Sequence, residues 1–294
     1  MSNKRIVVML CFAIVATVAA ACANRSGSAA PPNTTAVAGR MGEFVWQDLI
    51  TDNIATSRTF YEQLFGWQFE QTTRSGRPYL LARLKTNPTP IAGIVQVARR
   101  RPDEPITQWL SYLAVADVDA LSTRLTGAGA HVLVAPADVR TSRAAVAVDP
   151  QGAPFGLVTL GSDVRLPVGG QSAEVGTFFW RDYLAKDVDG ARTFYADLAG
   201  LGATRQTRPD SLLHYVLTSA GSAPVAGVVP IGERTILPHW LPYIRVDDPV
   251  AMAARAEQLG GRILIPVRAD IRNGSVAVVA DSGGAAIALQ KWPF

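Results

Sequence analysis

The chain has 294 residues, 48% of them apolar and 18% charged, with 25 glycines and 19 prolines. That balance excludes a disordered chain and gives enough length for two ordinary domains, each able to bury a core without disulfides. The formal charge of +4 is modest for the size, and the basic residues are scattered apart from Arg99-Arg100-Arg101, which runs straight into Pro102-Asp103-Glu104. No basic face for nucleic acid is expected, and the arginine run reads as a solvated loop.

In chain order, Lys4 and Arg5 precede an apolar run from Ile6 to Ala21 that ends in small residues before Cys22. A positive n-region, a short apolar stretch and small residues at its end have the form of a secretory signal. Small residues directly before a cysteine resemble the bacterial lipobox, so residues 1–21 are expected to be a lipoprotein signal peptide and Cys22 the lipidated first residue of the mature chain. Cys11 would leave with the signal, and no disulfide within the chain is then expected. Residues 22–41, rich in Ser, Pro, Ala, Thr and Gly, read as a flexible tether. The expected location is the cell envelope, anchored by lipid. Ala23, where an aspartate would favour inner-membrane retention, points to the outer membrane's periplasmic face in a host with two membranes.

The stretch Phe44-Val-Trp-Gln-Asp-Leu to Phe60-Tyr-Glu-Gln-Leu-Phe-Gly66 returns as Phe178-Phe-Trp-Arg-Asp-Tyr to Phe194-Tyr-Ala-Asp-Leu-Ala-Gly200. The chain is therefore a duplication. In each copy a strand leads to a helix, capped by Asn53 or Asp187 and stopped by Gly66 or Gly200. Three short strands follow in the first copy, near 67–71, 79–84 and 91–97, with separators at 73–76 and 86–90. A second unit of the same form opens at Trp109 and caps its helix with Asp117, with strands near 131–135, 143–149 and 155–160. The second half repeats it from Trp240, with Asp248 as cap, Pro249 at the first helical position and strands near 262–265, 274–280 and 285–290. The expected division is 42–161 and 175–294, joined by a linker over 162–174 that carries Pro167, Gly169 and Gly170.

Four βαβββ units, each pair closed by Asp149-Pro-Gln-Gly152 or its weaker counterpart Asp281-Ser-Gly-Gly284, resemble the vicinal oxygen chelate superfamily of glyoxalases, bleomycin-resistance proteins and extradiol dioxygenases. The resemblance covers nearly all of residues 42–292. It implies an α+β fold of tandem domains, each made of two βαβββ units forming a half-open sheet cup with its helices outside. In metal-dependent members a divalent ion in the cup, held by His or Glu, acts as Lewis acid on vicinal oxygens. Carried over residue by residue, those ligand positions fall on Trp46, Leu110 and Gly156 in one half and on Trp180, Leu241 and Ala288 in the other. The remaining position, near Ile91-Ala-Gly93 and Val225-Ala-Gly227, offers at best Gln96. None of these supplies the three or four donors that a zinc, nickel or iron site needs, and His131, His214 and His239 fall on none of them. No cofactor is expected.

Because side chains alternate along a strand, Trp46 and Asp48 share a face, as do Trp180 and Asp182. Tyr112 and Tyr243 are expected to point the same way. An indole, a phenol and a carboxylate form a place for a flat aromatic or cationic small molecule, or they fill the space where a metal would have been. An Asp48 raised by desolvation would serve as a general base, though no partner acid can be named. Three readings follow: metal-independent binding or sequestration of a small aromatic or cationic molecule, a glyoxalase-like lyase or isomerase, and a non-catalytic scaffold lipoprotein. The partners expected are a small molecule and, through the lipid, a membrane; neither the ligand nor the oligomeric state is legible.

Overall fold

The computed structural model describes residues 40–74, 76–99, 106–166, 172–207, 213–219, 223–232 and 236–292. The signal segment, Cys22, most of the tether, and Arg100 with Arg101 lie outside these residues.

In the first half, β1 (Phe44–Thr51), α1 (Ile54–Phe65), β2 (Gln68–Arg74), β3 (Arg77–Leu84) and β4 (Asn87–Gln96) make one βαβββ unit. The next comprises β5 (Gln108–Ala114), α2 (Val118–Leu125), β6 (His131–Val139), β7 (Ser142–Val148) and β8 (Pro154–Thr159). The second half repeats them as β9 (Phe178–Ala185), α3 (Val188–Ala199), β10 (Gly202–Thr207), β11 (Leu213–Thr218) and β12 (Pro224–Pro230), then β13 (His239–Arg245), α4 (Pro249–Gln258), β14 (Arg262–Ile265), β15 (Val276–Ala280) and β16 (Ala286–Gln290). This is the α+β arrangement of tandem cups that the family resemblance implies.

Each half is one eight-stranded sheet, ordered β2-β3-β4-β1-β5-β8-β7-β6 and β10-β11-β12-β9-β13-β16-β15-β14. The opening strands of the two units lie side by side at the centre and run antiparallel, with Trp46 opposite Tyr112 and Trp180 opposite Tyr243. Each opening strand also pairs in parallel with the last strand of its own unit, which sets Asp48 beside Gly93 and Tyr112 beside Gly156.

The helices begin at the expected caps. The side chains of Asn53, Asp117, Asp187 and Asp248 each accept a backbone N–H of the first turn, and Gly66 and Gly200 end α1 and α3 in the left-handed conformation. Two boundaries differ most: the strand expected near 131–135 runs on to Val139, and the separator before β4 is shorter than expected. Residues 86–90 were expected to separate two strands, but β4 already starts at Asn87, and its prolines sit where bulges at Ala82 to Leu84 break the register with β3.

The two large cores belong to neither half alone. One gathers Phe44, Leu121 and Phe155 with Tyr183, Tyr195 and Trp240; the other gathers Phe60, Tyr61, Trp67 and Trp109 with Phe178, Ile244 and Ile287. The helix-bearing faces of both sheets therefore meet in a common seam. Burying one such aromatic contributes about 2–3 kcal/mol, which makes the seam the main apolar reservoir of the molecule. The opposite face of each sheet, the cup face, keeps a smaller cluster of its own: Val45, Leu110, Tyr112 and Val158 in the first half, and Phe179, Leu241, Tyr243 and Val278 in the second.

The seam is also laced by polar bonds. Tyr61 on α1 donates to Asp281 at 2.9 Å and receives the Trp109 indole N–H at 3.0 Å. Tyr195 on α3 donates to Asp149 at 2.9 Å and receives the Trp240 indole N–H at 3.0 Å. The second oxygens of Asp149 and Asp281 accept N–H groups of their own turns, from Gln151 and Ala153 and from Gly283 and Ala285. The closing-strand aspartates thus tie each half to the helix of the other.

Candidate functional site

The six cup residues expected from alternation do converge. In the first cup the Trp46 indole N–H donates to Asp48 at 2.8 Å, and Asp48 is 1% exposed. In the second, the Trp180 indole donates to Asp182 at 2.7 Å and the Tyr243 hydroxyl donates to the same carboxylate at 2.6 Å. Tyr112 lies beside Asp48; burial first, and then that carboxylate, push its hydroxyl pKa far up.

Three further residues were not anticipated. Tyr79, on β3, donates to Asp48 at 2.6 Å, and Arg74, at the end of β2, reaches the other oxygen of Asp48 at 2.5 Å. The Arg74 guanidinium stands over the rings of Tyr79 and Tyr112, 5.5 and 5.8 Å from their centroids. In the second cup Arg272, from the connection between β14 and β15, bonds Asp182 at 2.7 Å and stands 4.9 Å over the Tyr243 ring. A signal for Arg272 was present in the chain, because Ala137-Asp-Val-Arg140 recurs as Ala269-Asp-Ile-Arg272. The register of β3 with β4 and of β11 with β12 puts buried His214 where Tyr79 stands in the first cup.

These partners decide the chemistry of the two aspartates. Burial alone would push Asp182 up; the Arg272 guanidinium, with the Tyr243 and Trp180 donors, instead holds its carboxyl below the ordinary range. In the second cup the carboxylate is therefore lowered, not raised. Asp48 likewise spends its oxygens on Trp46, Tyr79 and Arg74.

The positions that carry ligands in metal-dependent relatives do not suit a metal. A Cβ built at Gly93 would overlap the Tyr79 hydroxyl, and one built at Gly156 would overlap the Tyr112 ring, so aromatic side chains occupy the space above both glycines. Gln96 is not a cup residue: it lies at the end of β4 and donates to the Asp52 carbonyl at 3.1 Å. Among the described residues no three His, Cys, Asp or Glu side chains come together as a metal site would need. His131 is exposed at the start of β6. His239 holds the Leu237 carbonyl at 2.8 Å, and burial lowers its pKa.

Comparison with known proteins gives this geometry a family. A model of the glyoxalase-like domain matches residues 45–158. CFP32 of Mycobacterium tuberculosis, which carries a glyoxylase name, is 30% identical over 254 residues, 86% of this chain and 95% of its own. The anthracycline biosynthesis protein DnrV of Streptomyces peucetius is 30% identical over 267 residues, 84% of this chain and 92% of its own. Among solved structures, the Mn(II)-bound glyoxalase of Novosphingobium aromaticivorans shares the fold with a TM-score of 0.55 at 13% identity, covering 86% of this chain and 82% of that one. The 2,2',3-trihydroxybiphenyl 1,2-dioxygenase of Sphingomonas wittichii shares it with a TM-score of 0.55 at 14% identity, covering 85% and 90%. The chain belongs to the glyoxalase-like family, as a tandem two-domain member of the vicinal oxygen chelate superfamily.

Proposed function

We propose that this protein binds a small, flat aromatic molecule in a cup without using a metal, and that it does so at the cell envelope, tethered through Cys22. The observation that carries the reading is the Trp46, Tyr112, Arg74 and Asp48 group. It offers a half-buried indole and a guanidinium stacked on phenol rings, in a place where Trp46, Leu110 and Gly156 occupy the ligand positions of metal-dependent relatives. Such a surface gains from contact with a π-face. The cationic alternative loses its support, because Asp48 and Asp182 are each neutralised by an arginine and leave no carboxylate for a ligand cation. The names of DnrV and its relative DauV concern anthracyclines, whose aglycones are flat polycyclic aromatics, and this agrees with the reading.

The test is a calorimetric titration of the folded protein, freed of its signal segment, with a hydroxylated anthraquinone. Saturable binding that weakens about tenfold or more in Trp46→Ala is expected from the loss of one aromatic stacking partner. Absence of saturable binding, or binding indifferent to both Trp46→Ala and Trp180→Ala, overturns it. The tether is tested separately by incorporation of labelled fatty acid, which Cys22→Ala must abolish.

A lyase or isomerase is the second reading, favoured by the name that CFP32 carries. It would use Asp48 or Asp182 as a base, or, in its metal-dependent form, a donor set that the described residues do not assemble. Near-stoichiometric zinc, nickel, iron or manganese in protein purified without chelator would establish it.

A further inference from the structure

The two cups end in the same lip but use it differently. Val139 at the end of β6 packs on the apolar cluster of the first cup, and Ile271 packs in the same way on that of the second. The next residue in each case is an arginine with positive φ, 55° at Arg140 and 45° at Arg272. A side chain there strains the backbone. In the first half Arg140-Thr141 is the whole connection between Val139 and Ser142, which pair; a two-residue hairpin whose first central residue needs positive φ ordinarily takes glycine.

In the second cup this strained arginine has a partner. Arg272 is mostly buried, bonds Asp182 at 2.7 Å and balances its charge. In the first cup the equivalent carboxylate, Asp48, is already neutralised by Arg74 from the opposite lip. Arg140 is left exposed, and its guanidinium bonds no described residue. Asp48 thus has its arginine without Arg140, whereas Asp182 takes the arginine of this lip. Arg140 thus sets at the lip of the first cup an exposed cation that Asp48 does not need.

We infer that the first cup is the one that takes ligand, and that its ligand is an aromatic acid whose carboxylate or ionised phenol pairs with Arg140 while the ring system lies against Trp46. This rests on the cup-binding reading above. Arg140 supplies attraction and orientation at the lip, and the ring contacts supply the remainder. An exposed pair of this kind contributes modestly and fades in high salt.

The probes are anthraquinone-2-carboxylate and its carboxamide, titrated into the folded protein at low salt. The expected result is a preference for the acid of about fivefold, reduced at high salt. Arg140→Gly should erase that preference and leave carboxamide affinity unchanged, while Arg140→Lys should restore part of it. The glycine variant is also expected to melt about 2 °C higher, because it relieves the positive φ, so a lost preference cannot be laid to misfolding. Arg58→Gln, on the exposed face of α1, removes a charge far from the lip and should keep the preference. If both probes bind equally, or if Arg140→Gly still prefers the acid, this inference falls while aromatic binding stands. If neither probe binds saturably, aromatic binding falls, and this inference with it.

Discussion

The seam and the cups of this molecule have diverged to different degrees since the chain was duplicated. Across the seam, Tyr61 and Tyr195 make matching bonds to Asp281 and Asp149, at 2.9 Å in both cases, and each receives an indole N–H at 3.0 Å. In the cups, the aspartates match but their arginines come from opposite lips, and Tyr79 in one is replaced by His214 in the other. A seam residue faces packed atoms of both halves, so a change there must satisfy two copies together. A cup residue packs within its own half, and can change alone.

That contrast can be broken most forcefully at the seam. Asp149→Ala would orphan the Tyr195 hydroxyl and the Gln151 and Ala153 N–H groups. It should cost about 3 kcal/mol in chemical denaturation, as Asp281→Ala should in the other half. A cost below about 1 kcal/mol would mean that water replaces these bonds and that the seam is looser than described.

Cup substitutions should cost less, and unequally. Asp182→Ala leaves the Arg272 side chain, 13% exposed, without its counter-charge and should cost about 2 kcal/mol. Asp48→Ala strands Arg74, which at 22% exposure turns to water more readily, and should cost about 1 kcal/mol. Equal losses would remove the asymmetry of the lips.

The pH dependence should have opposite signs in the two regions. Burial raises the carboxyls of Asp149 and Asp281, so the folded chain holds these protons more tightly than the unfolded chain does. Their contribution to stability is greatest below the ordinary carboxylate pKa of about 4 and falls as pH rises through their raised values. Asp182 is lowered, so its contribution is present above about pH 4 and disappears as pH falls through its folded value. Asp281→Asn should therefore lessen the stability lost between about pH 4.5 and pH 7.5, by about 1 kcal/mol, and Asp182→Asn should not. Urea midpoints at both pH values check this.

The smallest expected effect concerns a mismatch in the polar bonds of the seam. Gln151 accepts the Lys186 and Asp187 N–H groups and donates to the Asp187 carbonyl, which fastens the start of α3 to the first half. Its counterpart, Gly283, has no side chain with which to fasten α1. Gln151→Gly should cost about 0.5 kcal/mol, with hydrogen exchange rising at the start of α3 and not at the start of α1.

The fold was legible because its signals are local. A cap, a glycine stop and a period-two strand each lie within a dozen residues, and the duplication supplied every signal twice. Trp46 and Asp48 could be placed on one face by alternation, and Tyr112 by alternation from Leu110, a position that the family resemblance supplies. Arg74, Tyr79 and Arg272 could not, since each reaches its aspartate from a lip or a neighbouring strand whose register no local pattern specifies. Helical spacing puts Tyr61 with Phe60 and Leu64 on the apolar face of α1 and marks nothing about its hydroxyl. Its hydroxyl bonds across to Asp281, a contact set by how the halves dock and not by the periodicity of α1.

The crossed tyrosine bonds also bear on the history open to this gene. Each copy completes the other's interior, so deleting either one would leave Tyr61, Trp67 and Trp109, or Tyr183, Tyr195 and Trp240, facing water. Selection for solubility alone then preserves both copies. The cups carry no such obligation. One can drift, close or change its taste in ligands while its sister works, and the pairing that forbids either half to live alone is what leaves one mouth free to evolve.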